Sequence, residues 1–180
     1  MRVLLGTLIL ILALSGQAFA RQCPADAFVQ SAGNAFMSAA DRGTPQAFSN
    51  AASRYADLRR IALFALGQYR RNLPSDREGE YVQSARGFMG RFMAQYASHF
   101  SGDGISILSC DPAASGLNVQ AQLKGGQTVT FRLRGSGGSY RVEDMSISNV
   151  WLAQAMRSKF TSIISQHGGD VGALLDWLDN

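Results

Sequence analysis

The chain has 180 residues, 17 basic against 13 acidic side chains and a formal charge of +4, which is one domain's worth of sequence with room for a real core. Fifteen of the basic residues are Arg, scattered along the chain instead of gathered in a block, so composition argues against a nucleic-acid-binding arm. With two cysteines, two histidines and no CxxC or Cys/His cluster, no metal or redox centre is expected.

The first twenty residues read as a secretory signal peptide. Arg2 gives a positive start, Val3 to Leu14 is apolar, and Ala18-Phe19-Ala20 closes the segment in small-x-small form, with cleavage expected after Ala20. An apolar run of about a dozen residues falls short of the roughly 20 needed to span a bilayer. The expected mature chain, 21–180, is a soluble exported domain without a lipid anchor, because Arg21-Gln22 separates the cut from Cys23. Export makes a Cys23–Cys110 disulfide the simplest account of the two cysteines, with two buried thiols as the alternative.

Helices come first. Pro24 to Ala40 carries Phe28, Ala32, Ala35, Phe36 and Ala39 on one side, and Asp41-Arg42-Gly43 breaks it. Thr44 as N-cap with Pro45 at the first helical position opens a short helix to about Tyr55. A third helix is predicted from about Asp57 to Leu73, striped by Leu58, Ile61, Ala62, Ala65, Leu66, Tyr69 and Leu73. The fourth, Tyr81 to Phe100, puts Tyr81, Ala85, Phe88, Met89, Phe92, Met93, Tyr96 and Phe100 on one bulky face. Such a face packs as core, or it lines a space whose contents vary, since Met is flexible and polarizable.

Strand signals follow at Ile105 to Cys110, Leu117 to Lys124, Thr128 to Arg134 and Tyr140 to Ile147, with Gly125-Gly126 as a hairpin turn. Short connections make them antiparallel. Along the third, Val129, Phe131 and Leu133 alternate with polar residues; in the fourth the parity of Tyr140 and Val142 differs from that of Met145 and Ile147, which predicts a bulge near Glu143-Asp144. A helix from Leu152 to His167 ends at Gly168-Gly169, and Asp170 caps a last one carrying Leu174, Leu175 and Leu178. Helices, an antiparallel meander of about four strands and helices again make an α+β layout, in which a curved sheet leaves a cone-shaped space beneath its helices.

Catalytic signatures are missing: no GxSxG, HExxH or phosphate-binding GxxxxGK[ST] occurs, and neither His99 nor His167 has a nucleophile in a recognised pattern. Asp144 is the one carboxylate placed to serve an apolar cavity as a general base. The reading preferred here pairs it structurally with Arg157 on the next helix and assigns no catalytic residue.

The order Tyr140-Arg141-Val142-Glu143-Asp144, then Arg157-Ser158-Lys159-Phe160, Ile163-Ile164, Gly168-Gly169 and Leu174-Leu175-x-x-Leu178 resembles the MlaC, or toluene-tolerance, family. Ile61-Ala62-x-x-Ala65-Leu66-Gly67-x-Tyr69-Arg70 and Phe88-Met89-Gly90-Arg91-Phe92-x-x-x-Tyr96 extend the likeness upstream, while Asn149-Val150-Trp151-Leu152 departs from the family's usual Gly-Val-Ser-Leu. The resemblance implies an NTF2-like cone holding phospholipid acyl chains as cargo, with no cofactor. It also implies a periplasmic auxiliary role in an ABC lipid transport system, between an inner-membrane MCE-domain complex and an outer-membrane lipoprotein complex. A sister branch implies a hopanoid or isoprenoid carrier as one alternative, and an enzyme using Asp144 on an apolar substrate is the other.

For a carrier, the inward faces given by periodicity are Leu58, Ala62, Leu66, Tyr69, Phe88, Met89, Phe92, Met93, Val129, Phe131 and Leu133. Surface arginines Arg59 and Arg91 are the candidates for meeting a phosphate at the entrance.

Overall fold

The computed structural model describes residues 23–100 and 104–180; the signal-peptide reading lies outside them. Helix α1 (Asp26–Arg42) ends at Gly43, whose φ of 64° lets its N–H turn back onto the Ala39 and Ala40 carbonyls. Helix α2 (Pro45–Tyr55) starts as its sequence demands, with the Thr44 hydroxyl accepting from the Ala47 N–H at 3.3 Å. Helix α3 (Leu58–Ala65) is capped by Asp57, whose carboxylate accepts from the Arg60 N–H.

The predicted Asp57–Leu73 helix is therefore two pieces, α3 and a 3-10 turn over Gly67–Asn72. Gly67 has φ 56°, and a Cβ there would lie 3.1 Å from the side chains of Arg157 and Thr161, so a close crossing with a later helix bends the chain at this point. The next helix, α4, runs Glu78–Ala94 and then tightens to a 3-10 turn at Ala97–Phe100, shorter than the stripe suggested.

Five strands, β1 (Ile105–Ala113), β2 (Gly116–Leu123), β3 (Thr128–Ser136), β4 (Ser139–Ile147) and β5 (Val150–Trp151), form one antiparallel sheet in sequence order. β5 is an addition to the four predicted strands: Ser148 and Asn149, both at positive φ, form a two-residue turn that folds it back on β4. The predicted bulge is present, since Arg132 pairs with Asp144 and Leu133 with Val142, leaving Glu143 as the extra residue. It brings Met145, opposite Phe131, to the same face as Val142, opposite Leu133.

Helices α5 (Leu152–Gln166) and α6 (Val171–Asp179) close the fold, the latter capped by Asp170 through the Gly172 N–H at 2.7 Å. The core joins one face of the sheet, through Val119, Ala121, Val129, Phe131 and Leu133, to Phe48, Leu66, Tyr81, Met156, Phe160 and Ile164 of the helices. Gly90 lets α4 lie directly on α2, for a Cβ there would sit 2.4 Å from the Pro45 carbonyl oxygen and 2.1 Å from Ser49 Oγ. Cys23 and Cys110 are joined, Cα to Cα 5.6 Å, fastening the start of α1 to edge strand β1.

Candidate functional site

At the opposite edge of the sheet from the disulfide, the end of α4 diverges from the β4–β5 hairpin and leaves an apolar slot. Phe92, Met93 and Tyr96 form one wall; Met145 and Ile147 of β4, Val150 of β5 and Leu152 at the start of α5 form the other. Alternation explains the second wall. Ile147 and Val150 face each other across the hairpin, so they share a side, and Met145 is two residues from Ile147. The first wall comes from helical spacing, with Phe92, Met93 and Tyr96 covering one turn. The enclosed part of the slot is about 20 Å³. That is room for about one water-sized group, so in this closed arrangement the slot does not hold an acyl chain.

Two of the eleven residues given by periodicity, Phe92 and Met93, stand on the slot. Ala62, Leu66, Met89, Val129, Phe131 and Leu133 are buried in the packed core, and Leu58, Tyr69 and Phe88 are half-buried against it. Periodicity finds inward faces, and it does not distinguish an inward residue that meets another side chain from one that meets a gap. Tyr96, Met145, Ile147, Val150 and Leu152 were missed as lining. For Met145 and Ile147 the signal was the parity slip in β4, and Tyr96 already stood on the bulky face of the fourth helix.

The two arginines proposed for an entrance are engaged elsewhere. Arg59 Nε donates to Glu78 Oε1 at 2.5 Å, and Arg91 Nη2 donates to the Leu178 carbonyl at 2.6 Å, closing the end of α6. Neither residue lines the slot.

Asp144 corrects the sequence reading in its partner. It pairs with Arg132, its register neighbour on β3, at 3.8 Å, and not with Arg157. The Arg157 guanidinium instead lies 4.9 Å from the centre of the Phe64 ring of α3. Arg132 in turn stacks on the Trp151 ring at 4.5 Å. Buried to 5 % exposure, Asp144 uses Oδ1 to accept from two backbone donors, Met145 N–H and Ala153 N–H, each at 2.9 Å. Burial raises its pKa above the ordinary carboxylate range, an effect that the two N–H bonds and Arg132 partly offset. Since Met145 faces the slot, Asp144 faces away from it, a position from which it supports the wall and does not meet the contents.

Next to it the bulged Glu143 gathers Arg60 at 2.7 Å, Arg134 at 3.7 Å and the Ser115 hydroxyl at 2.9 Å, a polar cluster that ties α3 and two strand ends together. Among the described residues no group of three or more His, Cys, Asp or Glu side chains is placed to hold a metal, and no helix is long and apolar enough to cross a membrane.

A small α+β cone with an apolar slot at one sheet edge is thus the class this molecule falls into. The family model described as MlaC protein matches residues 30–180. The chain belongs to the MlaC family. Among solved structures it is similar to a phospholipid-binding protein from Ralstonia solanacearum, determined in complex with a phospholipid, at 20% identity and a TM-score of 0.72, over 87% of this chain and 96% of that one. No curated protein matches the chain.

Proposed function

We propose that the chain is a periplasmic lipid carrier, made with a cleaved leader ending at Ala20, whose domain 21–180 takes phospholipid acyl chains into the apolar slot. It carries them between an outer-membrane lipoprotein complex and an inner-membrane MCE-domain ABC transporter complex. The observation that supports this most is the slot itself: seven side chains, five aliphatic or thioether and two aromatic, converge on space without a charged group among them. Membership of the MlaC family and the phospholipid held by the Ralstonia protein of similar fold point the same way.

The energetics suit a carrier. An acyl chain of about 14 methylenes exposes about 11 kcal/mol of hydrophobic free energy to water, at about 0.8 kcal/mol each. Covering it requires the walls to separate and admit the chain. Softness helps here, because Met93 and Met145 both line the gap and can repack around a flexible tail.

Lipid extraction from the purified, detergent-free chain, followed by mass spectrometry, tests the proposal. Diacyl phospholipid in near-stoichiometric amount is expected. Hopanoid in its place would redirect the cargo to polycyclic lipids, and a chain that returns from a lipid-rich host with no lipid would refute the carrier reading. Turnover of an apolar substrate lost in Asp144→Asn would instead favour an enzyme.

A further inference from the structure

The closed slot, about 20 Å³, is too small for an acyl chain, so for cargo of that size one wall has to move. The two walls differ in how firmly they are held. The α4 wall is backed by an aromatic cluster in which Phe88 packs against Phe92, Phe160 and Trp177 with ring centres 5.1 to 6.1 Å apart. In the other wall Met145 and Ile147 are held by the pairing of β4 with β3, but β5 is joined to β4 by only two register pairs, Ser146 with Trp151 and Ile147 with Val150. The turn residues Ser148 and Asn149 lie in left-handed backbone, and Val150 beside them is 43% exposed.

What completes that wall is a single carboxylate. Helix α5 begins immediately after β5, and Trp151 at its N-cap position offers no side-chain hydrogen bond to the helix. The cap comes from Asp144, nine residues back, whose Oδ1 takes the Ala153 N–H while also holding the Met145 N–H. The two amides flank slot residues directly: Met145 itself, and Leu152 just before Ala153. A buried N–H at a helix start has no other partner once this acceptor is withdrawn.

We propose that Asp144 is the positioning residue of the slot, the latch that fastens β5 and the start of α5 to β4 in the closed position, and that lipid enters and leaves when this fastening opens. The proposal rests on the slot being the lipid site. Trp151 and Arg132 form the outer side of the same latch, the guanidinium lying over the indole and reaching toward Asp144 Oδ2.

The test loads the full chain with a pyrene-labelled phosphatidylglycerol and follows its release into excess vesicles of phosphatidylethanolamine and phosphatidylglycerol. Asp144→Ala removes the acceptor and is expected to release lipid about tenfold faster. Asp144→Asn keeps a side-chain carbonyl in the same place and is expected to release at the wild-type rate. Tyr81→Phe serves as the control for general loss of stability: it removes the buried bond from the Tyr81 hydroxyl to the Ala62 carbonyl, about 17 Å along α4 from the slot, and should leave release unchanged.

An unchanged rate in Asp144→Ala, equal acceleration in Asp144→Asn, or equal acceleration in Tyr81→Phe would each overturn the latch. A wild-type chain that takes up no labelled lipid would overturn the carrier reading and the latch with it. Should Asp144→Ala fail to fold, hydrogen exchange in the lipid-loaded wild-type chain decides, under conditions where every opening leads to exchange. The Ala153 amide must then exchange at least as fast as lipid leaves, and an amide that outlasts the lipid refutes the proposal.

Discussion

Removing the Cys23–Cys110 disulfide by a double substitution to Ala tests how the N-terminal arm contributes. The bond closes a loop across 87 residues of separation, for which the chain-entropy relation gives about 4.6 kcal/mol at 25 °C, as an upper figure because a compact unfolded chain has less freedom to lose. Both cysteines are half-buried against the core, so the small volume removed adds little. For a domain of this size each kcal/mol moves the midpoint of thermal unfolding by about 2 to 4 °C, which predicts a fall of about 9 to 18 °C. Calorimetry with wild type and double variant side by side measures it. Because the bond fastens α1 to β1, at the far edge of the sheet from β5, lipid loading below the new midpoint should be unchanged. A shift of less than about 3 °C would show that the arm is held by its other contacts, among them Gln30 Nε2 donating to the Ile105 carbonyl at 2.9 Å, and the entropic argument would fail.

Three further outcomes follow from particular contacts. Gly90→Ala drives a methyl into the Pro45 carbonyl and Ser49 Oγ, so urea denaturation should show a loss of at least about 1 to 3 kcal/mol; a neutral result would mean that α2 and α4 do not cross there. Tyr81→Phe should cost about 1 to 2 kcal/mol, because the Ala62 carbonyl is left without its buried partner, and a gain in stability would contradict that pairing. For Asp144 the sign is set by its raised pKa: the folded state keeps its proton at pH values where the unfolded chain has lost it, so this residue's contribution to stability declines as pH rises from the ordinary carboxylate range through the raised folded value, then levels. Urea melts of wild type and Asp144→Asn across that window should show the Asn variant gaining on wild type as pH rises, and a gap that stays flat or closes would refute the assignment.

Much of the architecture was legible because local chemistry and tertiary packing agree in these segments. Thr44-Pro45 and Asp170 mark helix starts that the structure uses, and the parity slip in β4 located the bulge at Glu143. Disagreement arose where a distant element decides. The stripe from Leu58 to Leu73 continues past Ala65, yet the helix ends there and Gly67 turns into left-handed backbone, where a side chain would crowd Arg157 and Thr161 of α5. Val150-Trp151 is too short to announce itself as a strand and exists because Ser148-Asn149 turns it onto β4. The slot was half legible: Phe92 and Met93 lie on the bulky face of α4, but which part of that face meets a gap depends on where the sheet edge parts from the helix. Asp144 was singled out as a buried structural carboxylate, with the wrong partner, since sequence distance to Arg157 says nothing of the cross-strand register that brings Arg132 to it.

The carrier reading depends on hydrocarbon occupying the space between α4 and the β4–β5 hairpin. A phospholipid bearing a diazirine on its acyl chain, bound to the full chain, photolysed and mapped by peptide mass spectrometry, reports what lies against that hydrocarbon. Adducts concentrated on Phe92, Met93, Met145, Ile147 and Leu152 are the predicted result. Adducts confined to the outer faces of the helices, or to the polar hairpin at Gly125-Gly126, would contradict it.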